Sequence, residues 1–181
     1  TMPALLRAHY RSLHQPDYIA TVHRLDKITG GLMLFSRSKA ATGKLIAAVA
    51  EHHVEKEYLA VLRGHPDAPG GELTDLVFRD PAKNKSYVVK RMRKGVREAK
   101  LSYRVLAEAE DLSLVRIRLH TGRTHQIRVQ FSSRGLPLLG DIRYGSKAPC
   151  SPALWSHRLA LPPPVPGQPV DIPCPPPDSW P

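Results

Sequence analysis

Apolar and basic side chains alternate along Leu114-Val115-Arg116-Ile117-Arg118-Leu119, which puts Val115, Ile117 and Leu119 on one face and the arginines on the other. A period of two with one apolar face is the signature of a half-buried strand. The continuous apolar run Gly31-Leu32-Met33-Leu34-Phe35 follows a glycine pair and predicts a buried strand. A further strand is predicted for Lys56-Glu57-Tyr58-Leu59-Ala60-Val61-Leu62, closed by Arg63-Gly64. Ser38 is placed to cap a helix over residues 39–52, in which Leu45, Ile46 and Val49 form an apolar stripe. A short helix over residues 3–14 has Pro3 in its first turn and Leu5, Leu6 and Leu13 near helical spacing.

Residues 84–106 read as a hairpin. The strand-like runs Ser86 to Lys90 and Ala99 to Leu106 flank Arg91-Met92-Arg93-Lys94-Gly95, a cationic tip that is either solvated or in contact with phosphate. Between Thr121 and Phe131 periods of two and 3.6 both fit in part, and the stop signals Gly135 and Pro137 favour a helix over residues 124–133. Beyond Pro149 prolines are dense and helix formers few, which predicts an extended wrap around the domain with one late strand from Trp155 to Leu161. There is no internal repeat and no interdomain linker, so one domain over residues 1–181 is expected.

Charge narrows the class of partner. The 27 Lys and Arg against 16 Asp and Glu give a formal charge of +11, and the isoelectric point is near 10.0. Neutralised phosphates release counterions, so a polyanion bound by such a surface is held in a salt-dependent way. A merely soluble basic protein, or one drawn to anionic membranes, would carry the same sign. Spanning a membrane is not expected, because no apolar run approaches the roughly 20 residues required. Cys150 and Cys174 show no metal-like spacing; free thiols in a reducing cytoplasm are the expectation, with one disulfide as the alternative. The first residues, Thr1 to Arg7, lack a signal-peptide core, and a chain opening on Thr suggests a native beginning further upstream.

Against this charge, one acid stands out. His23-Arg24-Leu25-Asp26 runs into Lys27-Ile28-Thr29-Gly30-Gly31-Leu32 and sets a carboxylate beside an arginine. Asp26 can close a turn before the glycine pair, or an accessible, ionised carboxylate there can serve as nucleophile or base.

Three segments in order, HRLDKITGGL (23–32), VEKEYLAVLRG (54–64) and HTGRTHQIRVQ (120–130), are followed by PLLGDIRYG (137–145). Together they resemble the RluA-type pseudouridine synthases, which isomerise specific uridines in ribosomal or transfer RNA. The resemblance runs from about Ala20 to the C-terminus. It implies an α+β fold with a mixed, largely antiparallel sheet, flanking helices and a central catalytic cleft, which the hairpin and the alternating strand support independently. It places the family's catalytic aspartate on Asp26, its active-site tyrosine on Tyr58 and the arginine pairing with the carboxylate on Arg128. Guanidinium matches carboxylate geometry, so a charge-assisted bond, with a bidentate one open to it, is expected between Arg128 and Asp26. Leu154 corresponds to a leucine on the pocket floor. Arg24, Arg123, Thr124, His125, Arg91, Arg93 and Lys94 are expected on an RNA-binding rim, Arg24 either filling the gap left by an extruded base or making a structural salt bridge.

The resemblance also implies RNA as partner, a monomer, a cytoplasmic setting and neither metal nor organic cofactor. The family usually has Ser at Gly30 and His at Gln130, both outside the chemistry on this reading. It normally begins with strands and a Lys-Pro segment absent here, and no S4-type domain is visible, so substrate choice would fall to the catalytic domain. The alternative is a non-catalytic RNA-binding or chaperone module on the same scaffold. A metal-dependent hydrolase built from the nine histidines is disfavoured, because no pair has the i, i+4 spacing of a helical zinc motif.

Overall fold

Eight strands share one sheet in the computed structural model, which describes residues 1–161 and 169–181. Along the chain come α1 (Met2–Ser12), β1 (Ala20–Thr21), β2 (Gly30–Gly31), β3 (Phe35–Ser36), α2 (Lys39–Ala50), β4 (Glu55–Arg63), β5 (Gly70–Asp80), β6 (Lys85–Val89), β7 (Val96–Ala109), β8 (Leu112–Leu119), α3 (Gln126–Ser132), a 3-10 turn (Ile142–Tyr144), β9 (Leu154–Leu161) and β10 (Val170–Pro173). The strands lie in the order β10-β9-β4-β8-β7-β5-β6. All these pairs are antiparallel, while β2 joins the same edge of β9 as β10 and runs parallel to it. β1 and β3 form a small separate ladder. The fold is therefore α+β with a mixed, largely antiparallel sheet.

The alternation in β8 works as its pattern dictates, with Val115 and Ile117 wholly buried and Arg116 and Arg118 exposed. They pack with Ala60 and Leu62 of β4, Leu101 of β7, Ile127 and Phe131 of α3, and Leu138. Gln130, fully buried, donates from its amide to the Asp75 carboxylate at 2.8 Å and to the carbonyls of Leu73 and Ala99, tying α3 to β5 and β7. Ser38 caps α2 by accepting from the Ala41 N–H.

Several expectations are corrected. Residues 84–106 do not form a hairpin, because β5 lies between β6 and β7 and pairs with both. The true hairpins join β5 to β6 and β7 to β8, each turning through a positive-φ residue, Asn84 and Glu110 respectively. Of the apolar run after the glycine pair only Phe35 is in a strand, since Leu32 to Leu34 bridge between β2 and β3. Ile46 turns outward, leaving Leu45 as the only buried residue of α2, and α1 buries none. α3 is shorter than predicted, and β9 starts one residue earlier. The expected proline-rich wrap falls partly on residues 162–168, outside the described residues. Both cysteines are free. No helix among the described residues is long and apolar enough to cross a membrane.

Candidate active site

Asp26 opens a tight turn closed by the Thr29 N–H donating to its carbonyl at 2.9 Å. The turn is tethered at both ends. Upstream, the Leu34 N–H donates to His23 Nε2 at 3.1 Å. Burial, reinforced by the charge of Lys56, pushes the His23 imidazole below its ordinary value and keeps it the neutral acceptor this bond needs. Downstream, Gly30 and Gly31 pair with Trp155 and Ser156 of β9. Gly31 has φ near +99°, and a Cβ there would strike the Ser156 backbone, so only glycine lets the loop lie this close. At Gly30 the Trp155 ring occupies the space a side chain would need.

Ser156 is the strand partner of Tyr58 on β4, so the same contact that seats the Asp26 turn brings it beside Tyr58. Between Glu57 and Tyr58 the register against β9 shifts by one residue, leaving His157 of β9 unpaired as a bulge, while the pairing of β4 with β8 runs on unbroken. Tyr58 is 6% exposed and packs in the main core with Leu154, itself buried. Burial pushes its phenol up to about 12, and the negative charge of Asp26 acts in the same direction. At neutral pH it is an uncharged ring with its proton in place.

Arg128 extends from α3 and is 5% exposed, so it is no surface arginine. Its bidentate partner is Asp141: Nε donates to Oδ2 at 2.6 Å and Nη2 to Oδ1 at 2.8 Å. Nη1 remains and reaches Asp26 Oδ2 at 3.4 Å. The expectation of a fork onto Asp26 is thus corrected, since the fork closes on Asp141 and Asp26 takes a single longer contact. Burial works against the charge of Arg128, but Asp141 and then Asp26 outweigh it and hold the guanidinium above its ordinary value.

His125 also faces Asp26, with Nε2 at 3.9 Å from Oδ2. Its Nδ1 lies 2.9 Å from the Tyr144 hydroxyl, which accepts the Ser86 N–H at 2.8 Å. A hydroxyl that accepts there has its own proton to donate. Directing it at Nδ1 leaves the ring proton on Nε2, toward the carboxylate. Burial pushes His125 below its ordinary value, Asp26 opposing the shift and Arg128 reinforcing it. The Tyr144 ring lies 4.8 Å from the Arg128 guanidinium, a cation–π contact that adds to the hold on it.

The other sequence candidates lie outward. Arg24 is exposed and makes no ion pair among the described residues, against the salt-bridge alternative. Arg123 is anchored by Nε donating to the Glu98 carbonyl at 2.7 Å, and the Thr124 carbonyl accepts the Ser86 hydroxyl at 2.7 Å. Arg91, Arg93 and Lys94 are exposed between β6 and β7, with Arg93 over the Phe78 ring. Lys56, two residues before Tyr58 and so on its face of β4, is buried without a carboxylate partner among the described residues. Sequence reasoning missed Asp141, Tyr144 and Lys56. Asp141 and Tyr144 stand inside the PLLGDIRYG segment, but nothing in that string assigns them to Arg128. No group of three or more His, Cys, Asp or Glu side chains is placed to hold a metal ion among the described residues.

The family described as RNA pseudouridylate synthase matches residues 4–133. A protein of Aquifex aeolicus (strain VF5), described as an uncharacterized RNA pseudouridine synthase, is 38% identical over 133 residues, which is 72% of this chain and 41% of that protein. Ribosomal large subunit pseudouridine synthase D of Escherichia coli (strain K12) is 38% identical over 126 residues, 70% of this chain and 37% of the relative. The chain thus spans about two fifths of the length of these curated relatives. Among solved structures, human RNA pseudouridylate synthase domain containing 1 superposes with a TM-score of 0.80 at 26% identity, over 97% of this chain and 74% of that one. Human RNA pseudouridylate synthase domain containing 4 has the same fold, with a TM-score of 0.84 at 22% identity, over 99% of this chain and 80% of that one.

Proposed function

The chain belongs to the RNA pseudouridylate synthase family, and from that membership we propose that it isomerises uridine in RNA to pseudouridine with Asp26 as the reacting carboxylate. The observation that carries this reading is the Asp26 carboxylate 3.4 Å from an arginine nitrogen, on a guanidinium that a buried aspartate already holds from two sides. A carboxylate so held is aimed without spending Arg128 on it entirely.

The reaction breaks the bond between N1 and C1′, turns the base and joins C5 to C1′. C5 loses a proton and N1 gains one, so the product is an isomer and no redox partner is consumed. Asp26 would act beside the ribose and uracil, as nucleophile or base. Tyr58 offers an uncharged aromatic face against which a flipped uracil can stack, and Leu154 the apolar floor. Extruding a paired uridine costs a few kcal/mol, and the exposed Arg24 is available to fill the gap or hold the displaced phosphate. Arg123, Thr124, His125 and the cations at 91, 93 and 94 would line the RNA path. Residues 1–181 would act as a single catalytic domain. The relatives named as ribosomal large subunit synthases favour ribosomal RNA as the substrate.

Incubating the chain with unmodified large-subunit ribosomal RNA and mapping pseudouridines by carbodiimide labelling and primer extension tests the proposal. New stops at specific uridines are expected. RNA bound tightly but left unmodified would instead support a non-catalytic binding module.

A further inference from the structure

A cleft of about 290 Å³ opens next to His125, lined by Val77, Arg79, Ser86 and Arg97 on one face of strands β6, β5 and β7 and by the loop Gly122–Thr124. Three arginines line it, Arg79, Arg97 and Arg123, and no acidic side chain does. Arg79 and Arg97 are exposed, and neither is engaged by a carboxylate among the described residues. Arg123 uses Nε on the Glu98 carbonyl, which fixes the side chain and leaves its terminal nitrogens for another acceptor. Three arginines on one cleft whose lining holds no acidic side chain give it a positive field that favours an anion, and their planar forks suit phosphate oxygens.

Two buried side chains, Tyr144 and His125, stand between the cleft wall and the reacting carboxylate. Ser86 bonds through its hydroxyl to the Thr124 carbonyl and through its N–H to the Tyr144 hydroxyl, which meets His125, whose other nitrogen is 3.9 Å from Asp26. Thr124 of the cleft is the chain neighbour of His125, which faces Asp26, so the wall is within reach of a backbone group next to a uridine held at Asp26. We propose that the cleft holds a phosphodiester of the RNA strand adjoining the target uridine, with Arg79 and Arg97 as its principal ligands and Arg123 as the fixed third. The inference rests on the synthase reading, because it takes the strand's register from Asp26. The loop carrying Arg91, Arg93 and Lys94 hangs at the mouth, held back by Arg93 over Phe78 at 5.2 Å.

The test measures binding of a short fluorescein-labelled RNA stem-loop with one loop uridine, as a function of salt, for the parent chain and for Arg79→Ala/Arg97→Ala. Affinity should fall about tenfold or more, and the slope of log affinity against log salt should shrink by about one to two. Arg79→Lys/Arg97→Lys should restore most of the slope, which a folding defect would not do. In a second arm, phosphates flanking the loop uridine are replaced singly by neutral methylphosphonate. One replacement within a nucleotide or two of the uridine should weaken the parent and leave the double alanine variant unaffected. An unchanged slope in the alanine variant, or additive losses at every position, would overturn the proposal. Because binding is read without turnover, a failure here is distinct from a failure of the Asp26 chemistry, which would leave these affinities intact.

Discussion

Arg128 sits between two carboxylates, and the division of its nitrogens decides what each partner does. Asp141, 1% exposed, takes two of them and supplies the anchor; Asp26 takes the third and remains partly open to a substrate. Removing the anchor leaves a buried cation compensated only by Asp26. Asp141→Asn is expected to lower stability by about 3 kcal/mol in denaturant unfolding, and to reduce the single-turnover rate more than RNA affinity. Lys56 gives a second prediction. Burial pushes its ammonium below the ordinary 10.5, so the unfolded chain binds this proton more tightly and stability rises with pH between the lowered folded-state value and 10.5. Lys56→Met should therefore melt higher than the parent at neutral pH, and the gap should narrow as pH climbs toward that range. A gap constant with pH would contradict the account. Asp26, Tyr58 and Arg128 were legible in sequence because each stands in its own segment of the family resemblance. The fork onto Asp141 was not, since Asp141 lies thirteen positions after Arg128, across the end of α3 and a loop, and no spacing encodes the contact.

At the level of elements, two glycines in similar-looking company carry opposite consequences. Gly31 has positive φ and the Ser156 backbone where a Cβ would stand. Gly31→Ala should cost about 1–3 kcal/mol and lower activity further, because β2 carries the Asp26 turn to Tyr58. Gly43 is inside α2 with nothing within 4 Å of an added Cβ. Gly43→Ala should stabilise by about 0.5–1 kcal/mol and leave activity alone; thermal melts and turnover of the two variants check both signs. β8 was readable from periodicity, since one face of its alternation meets the core; β4 was readable as a run of strand formers that is buried on both faces, and α2 from its Ser38 cap, although only Leu45 of its apolar stripe is buried. The false hairpin over residues 84–106 has a simple origin. Neighbours in sequence were read as neighbours in the sheet, while β5 opens on Gly70-Gly71, carries Glu72, Thr74 and Asp75, and offers too little apolar alternation to announce itself. Its insertion between β6 and β7 creates the arginine-lined wall.

For the whole molecule, the charge of +11 is a statement about RNA before it is one about chemistry. Affinity for RNA should fall steeply with added salt and fall nearly alike for cognate and non-cognate sequences, as phosphate contacts require; titrations across salt measure this directly. A polyanionic partner is what the composition leads one to expect, and the α+β sheet was foreseeable from the ordered segments. How residues from the start, middle and end of the chain come together was not, because it depends on β9 meeting β2 and β4. That convergence makes Asp26 the centre of the account. The most direct test compares Asp26→Asn with the parent chain on one RNA that the parent modifies, following pseudouridine formation and dissociation constant together. The account predicts a rate lower by about 10³-fold or more with affinity within a few-fold. Pseudouridine formed at the parent rate by Asp26→Asn would contradict it.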